Sequence, residues 1–230
     1  ERESIEPVIR QILALPIPDL FVVVADDASP DGTGDVVRQL EKEDPRVHLL
    51  HRPKRHGRGL AGLDGFSRCL ALDADVIIEM DGDGSHDPFF IPRLIEPLDS
   101  GADLVLGSRL VPKGSDPERG WIRRVITRMA AAYARTLLRL PARDVTSGFR
   151  AFHRRVLEAV DPENCISAGP PVVLEVLFKA VRRGFTVAEV PIRFNERKGG
   201  RTKLNWITLL ESFVTVLKFR SLAAQGRAGW

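Results

Sequence analysis

Two short acidic clusters hold most of the chemical potential in this 230-residue chain. In Val76-Ile-Ile-Glu-Met-Asp81-Gly-Asp83-Gly-Ser85-His86-Asp87-Pro88, two acids one residue apart follow a run of apolar residues. Paired carboxylates released at a strand end offer hard oxygen ligands to Mg²⁺ or Mn²⁺, which could bridge them to a diphosphate and offset the charge of a departing group. Asp87 before Pro88 reads as a helix cap, which leaves Asp81 and Asp83 without a structural task. Upstream, Asp26-Asp27-Ala-Ser-Pro-Asp31-Gly-Thr33-Gly ends another apolar run. Ser29 to Asp35 has the composition of a capped turn, with Thr33 or Asp35 as the cap. The adjacent acids either belong to that turn or turn one carboxylate toward a ribose or base.

Three chemistries share the second spelling. A calcium loop needs Gly at its sixth position and Glu at its twelfth, where this chain has His86 and Pro92, so that reading fails. A phosphatase of the haloacid dehalogenase type would use Asp81 as nucleophile and a further acidic pair downstream. No adjacent acidic pair follows Asp87, which places the phosphatase second. A nucleotide-sugar transferase expects this order: acids after an early strand, then a mid-chain Asp-x-Asp. A catalytically silent nucleotide-binding subunit remains a further alternative.

The elements that must position these residues alternate. Leu20 to Ala25, Val47 to Leu50, Val76 to Met80, Leu104 to Leu106 and Val187 to Ile192 read as strands. Gly34 to Lys42, Gly59 to Leu72 and Pro88 to Leu98 read as helices between them, preceded by a helical stretch to about Leu15 and followed by a helix starting near Trp121. Such alternation predicts an α/β fold with a mostly parallel sheet, whose ligands bind beyond the carboxyl ends of the strands. Hydrophobic residues at 43% and charged residues at 28% are ordinary for a globular domain. The net charge of +3 comes mainly from Arg, which suits phosphate but equally makes a solvated basic surface. Cys69 and Cys165 have no metal-ligand spacing and imply no disulfide framework.

Six segments in order along the chain resemble the dolichol-phosphate (polyprenol-phosphate) mannose synthases, a branch of the family 2 glycosyltransferases. They are Asp26 to Thr33, Arg52 with Gly57-Arg-Gly59, Asp81 to Pro88, Gly107-Ser-Arg109, Thr146-Ser-Gly-Phe-Arg150, and Val190 to Arg197 running on to Thr202-Lys203-Leu204. The resemblance implies a GT-A (Rossmann-like) fold, with residues 1–204 as the glycosyltransferase domain and 205–230 as an amphipathic helix and tail. It implies inverting transfer of mannose from GDP-mannose to a polyprenyl monophosphate by a protein peripheral to the cytoplasmic face of a membrane. A UDP-glucose or other sugar-nucleotide user on the same fold is the nearest alternative. Glu1, Ala25, Asp27, Asp81, Gly82, Asp83, Arg109, Arg197 and Lys203 would form the donor pocket. Asp81 and Asp83 would hold Mg²⁺ or Mn²⁺, with Ser85 as a third candidate ligand. Arg109, Arg123 and Thr127 would grip the acceptor phosphate; Arg123 and Thr127 lie one helical turn apart, although Arg123 and Arg124 could equally face solvent. Lys198-Gly-Gly-Arg201 reads either as a flap over the diphosphate or as a solvated basic loop. No general base is expected, because an acceptor phosphate is already an anion. Asp83 would be essential through the metal, His86 structural beside the metal loop, and Asp144 an orienter of Thr146 to Arg150.

Some features depart from the family pattern. Relatives begin with a strand and Pro-Thr-Tyr-Asn-Glu, of which only the Glu is matched here, by Glu1. The central strand is therefore expected to be missing from the chain as given, at a cost in stability and activity. Gly82 and Gly84 replace Ala and Leu, predicting a looser metal loop, and Ser85 stands where archaeal members can carry Gln. Near the C-terminus, Trp206, Leu209, Leu210, Phe213, Val214 and Leu217 share one helix face opposite Glu211, Ser212 and Lys218. That face is expected either to pack on the core or to lie at a bilayer surface or against a membrane-embedded subunit. No run approaches the ~18 apolar residues that span a membrane. Nucleic acid is not an expected partner.

Overall fold

The computed structural model describes residues 1–53, 57–118, 120–195 and 206–225, the side chains of 206–212 excepted. The chain runs α1 (Arg2–Leu13), β1 (Val22–Asp26), α2 (Thr33–Glu43), β2 (Val47–His51), α3 (Arg58–Ala71), β3 (Val76–Glu79), α4 (Ile91–Asp99), β4 (Leu104–Ser108), α5 (Trp121–Leu138), β5 (Arg150–His153), α6 (Arg154–Val160), α7 (Val172–Arg182), β6 (Val187–Pro191) and α8 (Trp206–Ala224). Among the described residues β1 and β2 pair in parallel, and the other four strands form a sheet in the order β3-β5-β4-β6. β4 runs parallel to β6, while β5 is antiparallel to both β3 and β4.

Burial explains this arrangement. All five residues of β4 are buried, as befits an apolar strand covered on both faces. Its register sets Leu104 beside Phe152 and Val105 beside Ala151. Periodicity did not single out β5, because four residues beginning with Arg carry no readable alternation. Arg150 nevertheless lies fully buried, satisfied by Glu79 and by the Val173 carbonyl at 2.6 Å.

Two local expectations resolve differently. Asp87 does cap the turn at Pro88, its carboxylate accepting the Phe89 N–H at 2.9 Å. Neither Thr33 nor Asp35 caps α2. Gly32, at φ 84°, is the residue that enters that helix, and Asp31 accepts the Thr33 N–H and hydroxyl at 3.1 and 2.7 Å.

The C-terminal helix packs on its neighbours through a face other than the Trp206 to Leu217 stripe. Among its described side chains Val216, Phe219 and Leu222 are buried, with Phe219 stacked at 6.4 Å on Phe178 of α7. Arg220 donates to the Leu137 carbonyl of α5 at 2.8 Å, which fixes α8 against α5. Phe213, Val214 and Leu217, the described members of the expected apolar face, are exposed. The helix is apolar on two sides, so periodicity alone could not choose which one packs.

Candidate active site

Strands β1 and β3 deliver the two acidic segments, and α3 closes the space between them. Asp27 follows β1 directly. One of its oxygens pairs with Arg52, and the other accepts the Gly57 N–H at 2.8 Å, at the start of α3. The buried Arg52 also reaches Asp64 at 2.7 Å. Ala25 faces α3, near Gly65. Asp27, expected at the nucleoside, is thus also the tie between β1 and the α3 entrance.

Beyond β3, Asp83 is buried and its Oδ1 accepts the Ser85 N–H at 2.9 Å, tightening the loop. Ser85 is fully buried, and its Oγ has no hydrogen-bond partner among the described residues. A buried hydroxyl without a partner is costly, so this oxygen beside two carboxylates fits a metal-ligand set. Among the described residues no group of three or more His, Cys, Asp or Glu is placed to hold a metal ion, so Asp81 and Asp83 would depend on other oxygens to complete a site. A Mg²⁺ or Mn²⁺ ion here would complete its shell from diphosphate oxygens and Ser85.

His86 holds the loop from behind. Its Nδ1 accepts the Asp81 N–H at 2.9 Å, and its ring stacks on Phe149 at 5.0 Å and meets Phe194 edge-on at 5.4 Å. Burial, with the Arg58 guanidinium adding to it, pushes its pKa down to about 3. The ring is therefore neutral, carries its proton on Nε2 and anchors the loop, as expected of a structural residue. α1 supports the same loop from the other side. Ser4 Oγ donates to the Gly82 carbonyl at 2.9 Å, and a Cβ on Gly82 would meet Ile5 Cδ1 at 2.7 Å and Glu1 Oε2 at 3.8 Å. Glu1 and Gly82 are thereby brought together beside Asp83.

Arg109 leaves β4 and is gripped by Asp144. The Asp144 carboxylate accepts the Arg109 N–H at 3.0 Å, Nε at 2.8 Å and the terminal amine at 2.8 Å. Thr146 adds a hydroxyl to that carboxylate at 3.1 Å, and Phe194 lies under the guanidinium at 5.4 Å. Burial alone would push the Asp144 carboxyl up, yet Arg109 and Thr146 hold it below the usual carboxylate range. Asp144 thus orients Arg109 as well as Thr146. Arg123 and Thr127 lie half-buried on α5. Arg197, Lys203 and the Lys198 to Arg201 segment fall outside the described residues. Glu175 is buried and accepts the N–H groups of Ile166 and Ser167 at 2.8 and 2.9 Å, a loop-holding role.

Sequence reasoning left Arg58 without a role. It stands first in α3, between two glycines, and its guanidinium pairs with Asp81. The Gly-Arg-Gly spelling after an Asp-Asp strand end was the available signal.

Comparison with known proteins agrees with this geometry. Residues 1–161 match the family described as "Glycosyl transferase family 2". The polyprenol monophosphomannose synthase of Mycolicibacterium smegmatis is 40% identical over 220 residues, covering 95% of this chain and 83% of that protein. The undecaprenyl-phosphate mannosyltransferase of Micrococcus luteus is 39% identical over 231 residues, covering 96% and 94%. Among solved structures, the glucosyl-3-phosphoglycerate synthase of Mycobacterium tuberculosis with Mn²⁺, UDP-glucose and glycerol 3-phosphate has the same fold, at a TM-score of 0.66 and 22% identity over 96% of this chain and 76% of that one. Its complex with Mg²⁺ and UDP superposes equally, with a TM-score of 0.66.

Proposed function

Since the chain belongs to glycosyl transferase family 2 and is a glycosyltransferase, we propose that it moves mannose, with inversion, from GDP-mannose to a polyprenyl monophosphate. The observation that carries this reading is the loop after β3, where Asp81, buried Asp83 and a buried Ser85 hydroxyl with no partner among the described residues follow the carboxyl end of a strand. The names of the two mannosyl-transferring relatives support the sugar and the lipid acceptor, and the phosphatase alternative falls outside this family.

In this reading an acceptor phosphate oxygen attacks the anomeric carbon, the bond from that carbon to the donor diphosphate breaks, and GDP leaves with the electron pair. Bound Mg²⁺ or Mn²⁺ would supply charge stabilisation to the leaving diphosphate. The chain's own residues do the rest. Asp81, Asp83 and Ser85 would hold the ion, while His86 and Ser4 fix the loop that carries them. Arg109, aimed by Asp144, would present cationic surface to phosphate oxygens. Residues 1–204 would constitute the catalytic domain and 205–230 its appendage.

Access to a lipid acceptor fits an exposed apolar surface. No helix among the described residues is long and apolar enough to cross a membrane. Trp121, Ile122 and Met129 of α5 are exposed, as are Phe213, Val214 and Leu217 of α8. Tyr133 of α5 stacks on Phe213 at 3.6 Å, which joins the two sets. α5 contains no acidic residue and four arginines, so this surface suits an anionic bilayer interface.

Transfer of labelled mannose from GDP-mannose to a polyprenyl phosphate in detergent, with UDP-glucose as competitor donor, tests the assignment. Activity should require Mg²⁺ or Mn²⁺ and vanish in Asp83→Asn. Near-normal turnover by that variant would refute the ligand role, and preference for UDP-glucose would refute the donor.

A further inference from the structure

Arg58 is the cleft cation that metal ligation does not explain. Its position is set by close packing on both sides. Gly57 enters α3 at φ +100° and ψ 152°, in a region that L side chains rarely adopt, and its N–H is held by Asp27. A Cβ on Gly59 would come within 2.5 Å of the Gly169 carbonyl and 2.6 Å of the Ala168 carbonyl, so the 168–169 backbone seats directly on the first turn of α3. That loop is itself pinned by Glu175. Between these glycines the Arg58 side chain reaches across the cleft to Asp81. Its guanidinium passes over Gly148, 3.1 Å from where a Cβ would stand there, and pairs with Asp81.

The pair is asymmetric. The Arg58 side chain is 56% exposed, the Asp81 side chain 13%. An ion pair with one well-solvated partner is readily exchanged. Asp81 is also one of the two carboxylates assigned to the divalent ion, so Arg58 and that ion call on the same oxygens. Guanidinium is planar and suited to bidentate phosphate pairing, which gives Arg58 a second partner once a diphosphate fills the cleft.

We propose that Arg58 is an exchangeable counter-cation that neutralises Asp81 in the empty cleft, competes there with free divalent ions, and transfers to the donor's diphosphate when nucleotide and ion bind together. The proposal rests on the assignment of Asp81 and Asp83 as metal ligands. Its consequence is coupling. Arg58 must release Asp81 before that carboxylate can ligate, and a diphosphate rewards the release, so ion and nucleotide each strengthen the other's binding by the same factor.

Mn²⁺ titration of the whole chain, read by the EPR signal of free Mn²⁺ with and without GDP, tests this. Arg58→Gln should bind Mn²⁺ alone roughly 5- to 10-fold more tightly than the unaltered protein, with the GDP-dependent gain reduced by at least that factor. Arg58→Met, which keeps an apolar stem of similar length, should shift in the same direction. Arg58→Lys should stay near the unaltered protein without GDP. Arg58→Gln and Arg58→Met binding Mn²⁺ alone no more tightly than the unaltered protein would overturn the proposal. Asp83→Asn binding Mn²⁺ normally in the presence of GDP would instead overturn the ligand assignment beneath it, so the two failures are distinct.

Discussion

Replacing Asp144 by Asn tests whether the Arg109 pair is as structural as its burial implies. The Asp144 side chain is fully buried and that of Arg109 is 9% exposed. Asp144 Oδ2 accepts the Arg109 N–H and Nε, and Oδ1 accepts the terminal amine and the Thr146 hydroxyl. An Asn amide keeps one of those oxygens and turns an NH₂ toward two donors in either flip, leaving the buried guanidinium without its counter-charge. Breaking a buried pair from one side costs about 3–5 kcal/mol. The Phe194 ring under the guanidinium retains part of the interaction, which favours the lower figure of about 3 kcal/mol. With a urea m-value of roughly 2–3 kcal/mol/M, the midpoint should fall by about 1 M at pH 7. The double variant Arg109→Met with Asp144→Leu removes both charges and should recover to within about 1 kcal/mol of the unaltered protein. The pH dependence follows from the depressed carboxyl. The unfolded chain takes up the Asp144 proton first on acidification, so the stabilisation is complete above about pH 4 and is lost as pH falls through the lower folded value. The gap between Asp144→Asn and the unaltered protein should therefore close in acid. A midpoint shift under about 0.3 M, or a double variant no more stable than the single, would refute the reasoning.

Three further outcomes are expected. Gly59→Ala drives a Cβ into two backbone carbonyls and should cost about 1–3 kcal/mol in thermal unfolding, whereas Gly82→Ala meets only the tip of Ile5 and should cost less; equal losses would contradict the packing. Burial pushes the Cys69 thiol up to about 11, and burial with Glu175 pushes Cys165 up to about 12. Iodoacetamide at pH 8 should therefore modify both on the order of a hundredfold more slowly than free cysteine, and rapid labelling of the folded protein would count against these environments. Combined Trp121→Ser, Val214→Ser and Leu217→Ser substitutions remove exposed apolar area while leaving the Tyr133–Phe213 stack and the buried Val216, Phe219 and Leu222 in place. They should weaken flotation with anionic vesicles by about 10- to 100-fold, and undiminished flotation would remove α5 and α8 as the membrane surface.

What the sequence made legible follows from how each signal arises. Strands β1, β3 and β6 could be read because apolar runs bounded by turn residues are local. β5 was not legible. Its four residues become a strand through pairing on both sides with β3 and β4, a contact that no short window contains. The cap of α2 was misplaced by one to three residues because Thr33 and Asp35 are both competent caps, while the structure enters the helix at Gly32 with Asp31 holding Thr33. Arg58 was invisible for a related reason. Its pairing with Asp81 joins residues 23 positions apart and depends on Gly59 admitting the 168–169 backbone. The apolar stripe on α8 was legible as a stripe, but its partner was not, since Val216, Phe219 and Leu222 form a second one.

The Arg109–Asp144 and Arg58–Asp81 pairs of the cleft differ chiefly in burial, and that difference divides the work between them. Arg109 and Asp144 are both withdrawn from water, so separating them exposes two charges to a medium that solvates neither. A guanidinium held in that way can offer a fixed field but cannot change partners during a catalytic cycle. Arg58 reaches Asp81 from solvent, so water can take up the guanidinium as they part, and an ion or a phosphate can compete for each partner. A cleft that must admit an ion and a diphosphate, then release a diphosphate again, requires one cation of each sort. If the exposures were reversed, the metal ligand would be locked and the phosphate contact would drift.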